Sequence, residues 1–155
     1  GPEPAGRNDL LYEESPMATE LANPQTDRAS LTPEGRVFAI TKSVNFEAAH
    51  YMGGKPEGHP YRNVHGHSFL LEATVSGTVK PGEQWVEDFS HLTASLEATA
   101  AKLDHKLLND IDGLDVPTLE RICLWAAADL APVLPGLARV AVARPSLNER
   151  CELVL

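Results

Sequence analysis

The sequence predicts an α+β fold with the element order ββααββ, a four-stranded antiparallel sheet carrying two helices on one face. Three observations lead there. Two long segments, Val37 to His50 and His65 to Val79, are rich in Val, Ile, Phe, Ala and Thr, and the Gly- and Pro-rich stretch Met52 to Val64 joins them. Two later segments space their apolar residues helically, and two short apolar runs close the chain.

The elements follow in order. The first two segments read as long strands paired across the Met52 to Val64 loop. Lys80-Pro81-Gly82-Glu83 is a turn. Trp85 to Phe89 is a short extended piece, and Ser90 caps a helix to about Leu103 with the stripe Leu92, Leu96, Ala100, Leu103. Asp104 to Val116 is a loop containing Asn109-Asp110 and Asp112-Gly113. Pro117 and Thr118 open a second helix to about Ala131, striped by Leu119, Ile122, Cys123, Ala126 and Leu130. Pro132 and Pro135-Gly136 stop it. Val140 to Ala143 and Cys151 to Leu155 are closing strands around a turn near Asn148.

At 155 residues the chain fits one domain with a sizeable core. Its net charge of −9 argues against bulk attraction to nucleic acid or an anionic membrane. No apolar run approaches the ~20 residues of a membrane span, and no signal-peptide pattern opens the chain. Two cysteines, Cys123 and Cys151, make no disulfide framework, so cytoplasm is the default location. Residues 1–34 hold seven acidic and two basic residues and five of the twelve prolines, with few large apolar residues. They read as a flexible acidic arm before a domain at 35–155. Gly1-Pro2 has the form of a tag scar and Met17 that of a start codon. A sharper reading docks Leu10-Leu11-Tyr12 on a neighbouring subunit.

Three histidines carry the chemistry: His50 in FEAAH, and His65 and His67 in HGHSF. Strand alternation points His65 and His67 the same way around Gly66. Antiparallel pairing brings His50 beside them. Three neutral imidazoles without a fourth protein ligand suit a catalytic Zn²⁺ with one open position. Surface or hydrogen-bonded histidines are the alternative. In LDHKLLND, Asp104 can orient His105 and raise its basicity, although a histidine at a helix C-terminus is also favoured by the helix dipole. Glu120, in PTLE, is either a pocket residue or a helix-start acid facing free N–H groups.

From about Phe38 onward the chain resembles the 6-pyruvoyltetrahydropterin synthase and 6-carboxytetrahydropterin synthase family. FEAAH, PEGH, HGHSF, EDFSHL, LDHKLLND, PTLE and a final Cys-containing strand occur in family order. The resemblance implies the tunnelling fold, in which sheets join edge to edge into an oligomeric barrel. It also implies a homotrimer or a homohexamer of two trimers, with sites at subunit junctions. It makes His50, His65 and His67 zinc ligands, gives Asp104 and His105 proton transfers, often beside a neighbouring subunit's zinc, and puts Glu120 near a pterin. Cys123 reads as core, and Cys151, matching a family cysteine, as structural.

Two positions depart from the family. Carboxy-type members carry a catalytic cysteine four residues before HGH; here that position is Tyr61. A phenol of reference pKa ~10 is a weaker base than a thiol of ~8.5. Tyr61 is therefore a substitute acid/base, a wall of a reshaped pocket or an inert loop residue. The family's pterin-anchoring glutamate follows the VxVx strand; here VAVA precedes Arg144, which has only donors. Glu149 or Glu152 can supply the carboxylate from a shifted turn, or Arg144 recognises a carboxylate or phosphate. Plain pterins are then expected to bind poorly unless a shifted carboxylate takes over.

The first functional expectation is a zinc-dependent lyase converting 7,8-dihydroneopterin triphosphate to 6-carboxytetrahydropterin, with Lys55, Arg62, Lys102 and Lys106 as cations for the triphosphate. The second is a diverged lyase, cleaving a dihydropterin side chain by retro-aldol chemistry or acting on another anionic heterocycle. The third is a zinc-bearing binding or assembly protein without catalysis.

Overall fold

The computed structural model describes Arg28 and residues 31–155. The chain divides into two compact units, Gly1–Thr32 and Pro33–Leu155. The expected docking of Leu10-Leu11-Tyr12 lies outside the described residues.

In the second unit, β1 (Val37–His50) and β2 (His65–Thr78) form the expected long antiparallel pair. Their register is unbroken from Val37 opposite Thr78 to His50 opposite His65. Because side chains alternate, one face collects Phe46, Ala48 and His50 from β1 with His65, His67, Phe69 and Leu71 from β2. The Phe46 and Phe69 rings stack at 4.9 Å between centroids. These are the core layer beneath the helices, where each fully buried large apolar side chain stabilises the fold by ~1.5–3 kcal/mol.

Helix α1 (Phe89–Ala101) buries Leu92, Leu96 and Ala100 on that face. Its cap is Asp88 rather than the expected Ser90: the Asp88 carboxylate accepts from the Ser90 N–H at 2.7 Å. Asp88 and Ser90, two positions apart, both have capping side chains, and the extended backbone of Asp88 puts its oxygen at the free N–H groups. Helix α2 (Leu119–Leu130) starts as read, with Thr118 accepting from the Arg121 N–H at 3.2 Å.

The expected four-stranded sheet acquires a fifth strand and becomes mixed. After α1, the Glu47 N–H donates to Asp104 Oδ1 at 2.8 Å and the His105 N–H to the Glu47 carbonyl at 2.6 Å. His105 adopts φ +56°, a left-handed turn that returns the chain to the edge of β1. There β3 (Lys106–Leu107) pairs parallel with Ala48 and Ala49. A two-residue strand has no measurable period, which hides it inside the sequence-predicted loop. β4 (Leu137–Arg144) and β5 (Glu149–Val154) complete the order β3-β1-β2-β4-β5. Asn148, at φ +55°, makes the turn between them. Gly136 opens β4 where a Cβ would stand 2.9 Å from Val75 Cγ1 and 3.0 Å from the Ser76 carbonyl, so only glycine fits the close approach.

Candidate metal centre and substrate pocket

The β1–β2 register places His50 directly opposite His65, and Ala48 opposite His67. The three rings form a triangle with centroid separations of 4.6, 5.0 and 5.0 Å. One potential ligand atom from each lies within 4.8 Å of the others.

Backbone carbonyls orient two of the rings. His50 Nδ1–H donates to the Pro117 carbonyl at 3.0 Å, and His65 Nδ1–H to the Asn63 carbonyl at 2.7 Å. Since a carbonyl can only accept, each bond selects the Nδ1–H tautomer and leaves an Nε2 lone pair. His50 is 1% exposed. Burial pushes its pKa down to about 4, against the opposing pull of the Pro117 bond. Burial, then the Arg144 charge, also lowers His67. Both rings are neutral at pH 7, the ligating form. His50 Nε2 and His67 Nε2 are buried without a hydrogen-bond partner among the described residues. Orphaned buried polar atoms cost ~1–3 kcal/mol each. A cation held by the three imidazoles satisfies them, so the donor set fits Zn²⁺ with an open fourth position.

This centre sits in a pocket of about 300 Å³. Tyr61 lies in its loop wall, on a short 3₁₀ turn, Pro60–Arg62, capped by His59 Nδ1 accepting from the Tyr61 N–H. Its ring centroid is 6.0 Å from that of His65. Glu120 lines the pocket from the first turn of α2. Arg144 and Glu149 face one another across β4 and β5 and also line it, joined by an ion pair of 2.6 Å.

Other sequence-predicted residues lie elsewhere. Glu152 is not a pocket residue: Glu149, Cys151 and Leu153 share the helix-facing side of β5, which turns Glu152 to the opposite face. There it pairs with Arg139 at 2.9 Å and Arg150 at 3.3 Å. Of the four proposed cations only Lys55 reaches the pocket. Lys102 binds Asp129 at 2.6 Å, Arg62 donates to the Lys55 carbonyl, and Lys106 lies in β3. Within one chain Asp104 and His105 stay outside the pocket, because β3 holds them at the outer edge of β1. They bond each other at 2.8 Å, and His105 lines a separate depression with Glu47 and Ser68. The Glu47 N–H, then His105, holds the Asp104 carboxyl below its ordinary value.

Neither cysteine lines the pocket. Cys123 is buried and its pKa is pushed up to about 12 by burial. Three contributors escaped the sequence reading. The Pro117 and Asn63 carbonyls orient ligands through backbone atoms, which leave no side-chain signal. Asn109 brackets the residue after His50, accepting from the Tyr51 N–H at 3.0 Å and donating to its carbonyl at 2.9 Å. Its appearance in a loop-type Asn-Asp pair was the only available hint.

An α+β domain whose paired strands present three imidazoles to the lining of one small pocket defines the class. The sequence profile of the family described as 6-pyruvoyl tetrahydropterin synthase matches residues 39–154, and the chain belongs to that family. A dihydroneopterin monophosphate aldolase of Pyrococcus furiosus is 38% identical over 97 residues, covering 63% of this chain and 78% of that protein. A 6-carboxy-5,6,7,8-tetrahydropterin synthase of Synechocystis is 39% identical over 112 residues, covering 68% and 85%. The 6-pyruvoyl tetrahydropterin synthase structure from Caenorhabditis elegans superposes with a TM-score of 0.69 at 19% identity, covering 77% of this chain and 96% of that one. That likeness establishes the tunnelling-type fold.

Proposed function

We propose that the chain is a zinc-dependent lyase that cleaves the side chain of a phosphorylated dihydropterin by a retro-aldol reaction. The observation that carries this reading is the pocket itself: three imidazoles, two of them with a buried, partnerless Nε2 among the described residues, stand beside Tyr61, Glu120, Arg144 and Glu149, and no thiol is among the lining residues. The name of the Pyrococcus furiosus relative supports the same chemistry.

His50, His65 and His67 would hold the metal, which supplies Lewis acidity to a side-chain hydroxyl oxygen. The hydroxyl on the second side-chain carbon loses its proton, and its C–O bond becomes C=O. The bond between the first and second side-chain carbons breaks. Its electron pair passes to the first carbon, where the adjacent ring C=N delocalises it, and a proton arrives there. The products are a hydroxymethyl dihydropterin and a phosphorylated glycolaldehyde. Tyr61, whose ring centroid lies 6.0 Å from that of His65, would carry a proton. His105, oriented by Asp104, is 80% exposed through its side chain and serves the pocket of a neighbouring copy. That role requires an assembly, a homotrimer or a hexamer of two trimers, closed through the sheet edges. A cytoplasmic location belongs to the same reading; no helix among the described residues is long and apolar enough to cross a membrane.

The Synechocystis relative favours a second reading, 6-carboxytetrahydropterin formation from the triphosphate. Incubation of zinc-loaded protein with dihydroneopterin monophosphate and triphosphate, with products identified by mass, separates the two. Hydroxymethyl dihydropterin with glycolaldehyde phosphate supports the aldolase. Carboxytetrahydropterin establishes the synthase. No turnover of either substrate would leave a zinc-bearing binding protein.

A further inference from the structure

We propose that Arg144 and Glu149 form a donor–acceptor couple that reads a ring edge bearing a carbonyl oxygen beside N–H groups, the edge of a cyclic amide such as a pterin. This deepens the lyase reading and rests on it. Arginine at the end of VAVA, taken alone, cannot accept the N–H bonds of such an edge. The structure changes the unit of recognition from one residue to two.

One edge of a guanidinium carries two parallel donors, Nε–H and an Nη2–H. Glu149 Oε2 occupies Nη2 at 2.6 Å. Nε on the same edge is buried and has no partner among the described residues. The donor set is therefore incomplete until an acceptor arrives. Glu149 uses Oε2 for this pair and keeps a side chain 44% exposed, so Oε1 is open to a ligand donor. Both residues line the pocket that holds His50 and His67. A carbonyl oxygen suits the guanidinium, and the adjoining N–H groups suit the carboxylate.

Charge separates this ligand from an anion. The couple is formally neutral, and a phosphate placed on Arg144 would meet the Glu149 carboxylate. Lys55 is the pocket's other cation. Its ammonium lies 5.8 Å from the Tyr61 ring centroid, with no carboxylate partner among the described residues. The ring edge thus belongs at the β4–β5 corner, and the phosphate-bearing end toward the Met52 to Val64 loop.

The test is a titration of the zinc-loaded full chain with a matched pair, 6-hydroxymethylpterin and 2,4-diamino-6-hydroxymethylpteridine. The second replaces the carbonyl by an amino group and removes the neighbouring N–H. We expect wild type to prefer the pterin by roughly tenfold or more. Arg144→Gln and Glu149→Gln should each erase that preference while leaving zinc content and tripolyphosphate binding unchanged. Equal wild-type binding of the two pteridines overturns the couple without any variant. So does an Arg144→Gln protein that loses tripolyphosphate binding but keeps the pterin. A clear edge preference without turnover of phosphorylated dihydropterins would sink the lyase reading and leave the couple standing; turnover without the preference would do the reverse.

Discussion

Two histidine groups on this sheet behave in opposite ways. His50, His65 and His67 share the helix-covered face; His50 is buried, and its ring is locked by the Pro117 carbonyl. His105 projects from the sheet edge, 80% exposed through its side chain, with Asp104 at 2.8 Å. His50, His65 and His105 each have a fixed Nδ1 partner: the Pro117 carbonyl, the Asn63 carbonyl and the Asp104 carboxylate. The partner decides the use. At His50 burial outweighs the carbonyl's opposing pull and keeps the ring neutral, while the carbonyl bond at Nδ1 leaves the Nε2 lone pair for a cation. At the sheet edge the Asp104 carboxylate orients an exposed ring that a second molecule can reach.

The sharpest way to break this comparison is at the buried group. His65→Ala should remove most bound zinc and lower activity by on the order of 100-fold or more, since a two-imidazole site lacks the third ligand. Metal analysis showing unchanged zinc would end the ligand assignment. His105→Gln should keep zinc and assembly and lower kcat by roughly 10²–10⁴, the range of a lost general acid or base. An unchanged kcat would remove His105 from the proton path. Tyr61→Phe retains the ring and deletes the hydroxyl. If the phenol carries a proton, kcat falls by about 10²-fold or more with zinc retained; full activity would make Tyr61 a wall only.

Acid should act on the buried group in metal-free protein. The folded pKa of His50, about 4, lies below the reference value of 6.5. Between these values the unfolded state binds the extra proton, so stability is fullest above pH ~6.5 and declines as pH falls toward 4. The decline attributable to His50 is on the order of 3 kcal/mol. Denaturant titrations at several pH values should show this slope, and His50→Gln should flatten it. The smallest effect is expected on the opposite face of the sheet. Glu152→Ala removes exposed ion pairs to Arg139 and Arg150, which are worth ~0–1 kcal/mol, and should leave pterin binding intact. A large loss of binding would return Glu152 to the pocket.

The histidine triangle was legible because it follows from one period and one pairing. His65 and His67 alternate around Gly66, and the long β1–β2 segments allow a single in-register hairpin that brings His50 across. The helix stripes and the Thr118 start were legible for the same reason, since capping and periodicity act within a few residues. The resemblance to the pterin synthase family was also readable from short motifs, and the match over residues 39–154 bears it out.

By itself, then, the sequence determined the α+β layout, the two helices and which face of the hairpin carries the imidazoles, because these depend on local periods. The tertiary structure decided everything that depends on distant register. It attached β3 to the edge of β1, so that Asp104 and His105 left their own chain's pocket. It chose Glu149 over Glu152, because β5 pairs Glu149 with Arg144 and turns Glu152 to the other face. It also converted Arg144 from an isolated cation into half of a neutral couple. Such outcomes rest on contacts between segments far apart in the chain, whose relative placement is set by packing and hydrogen bonding across the sheet rather than by any residue's own preference.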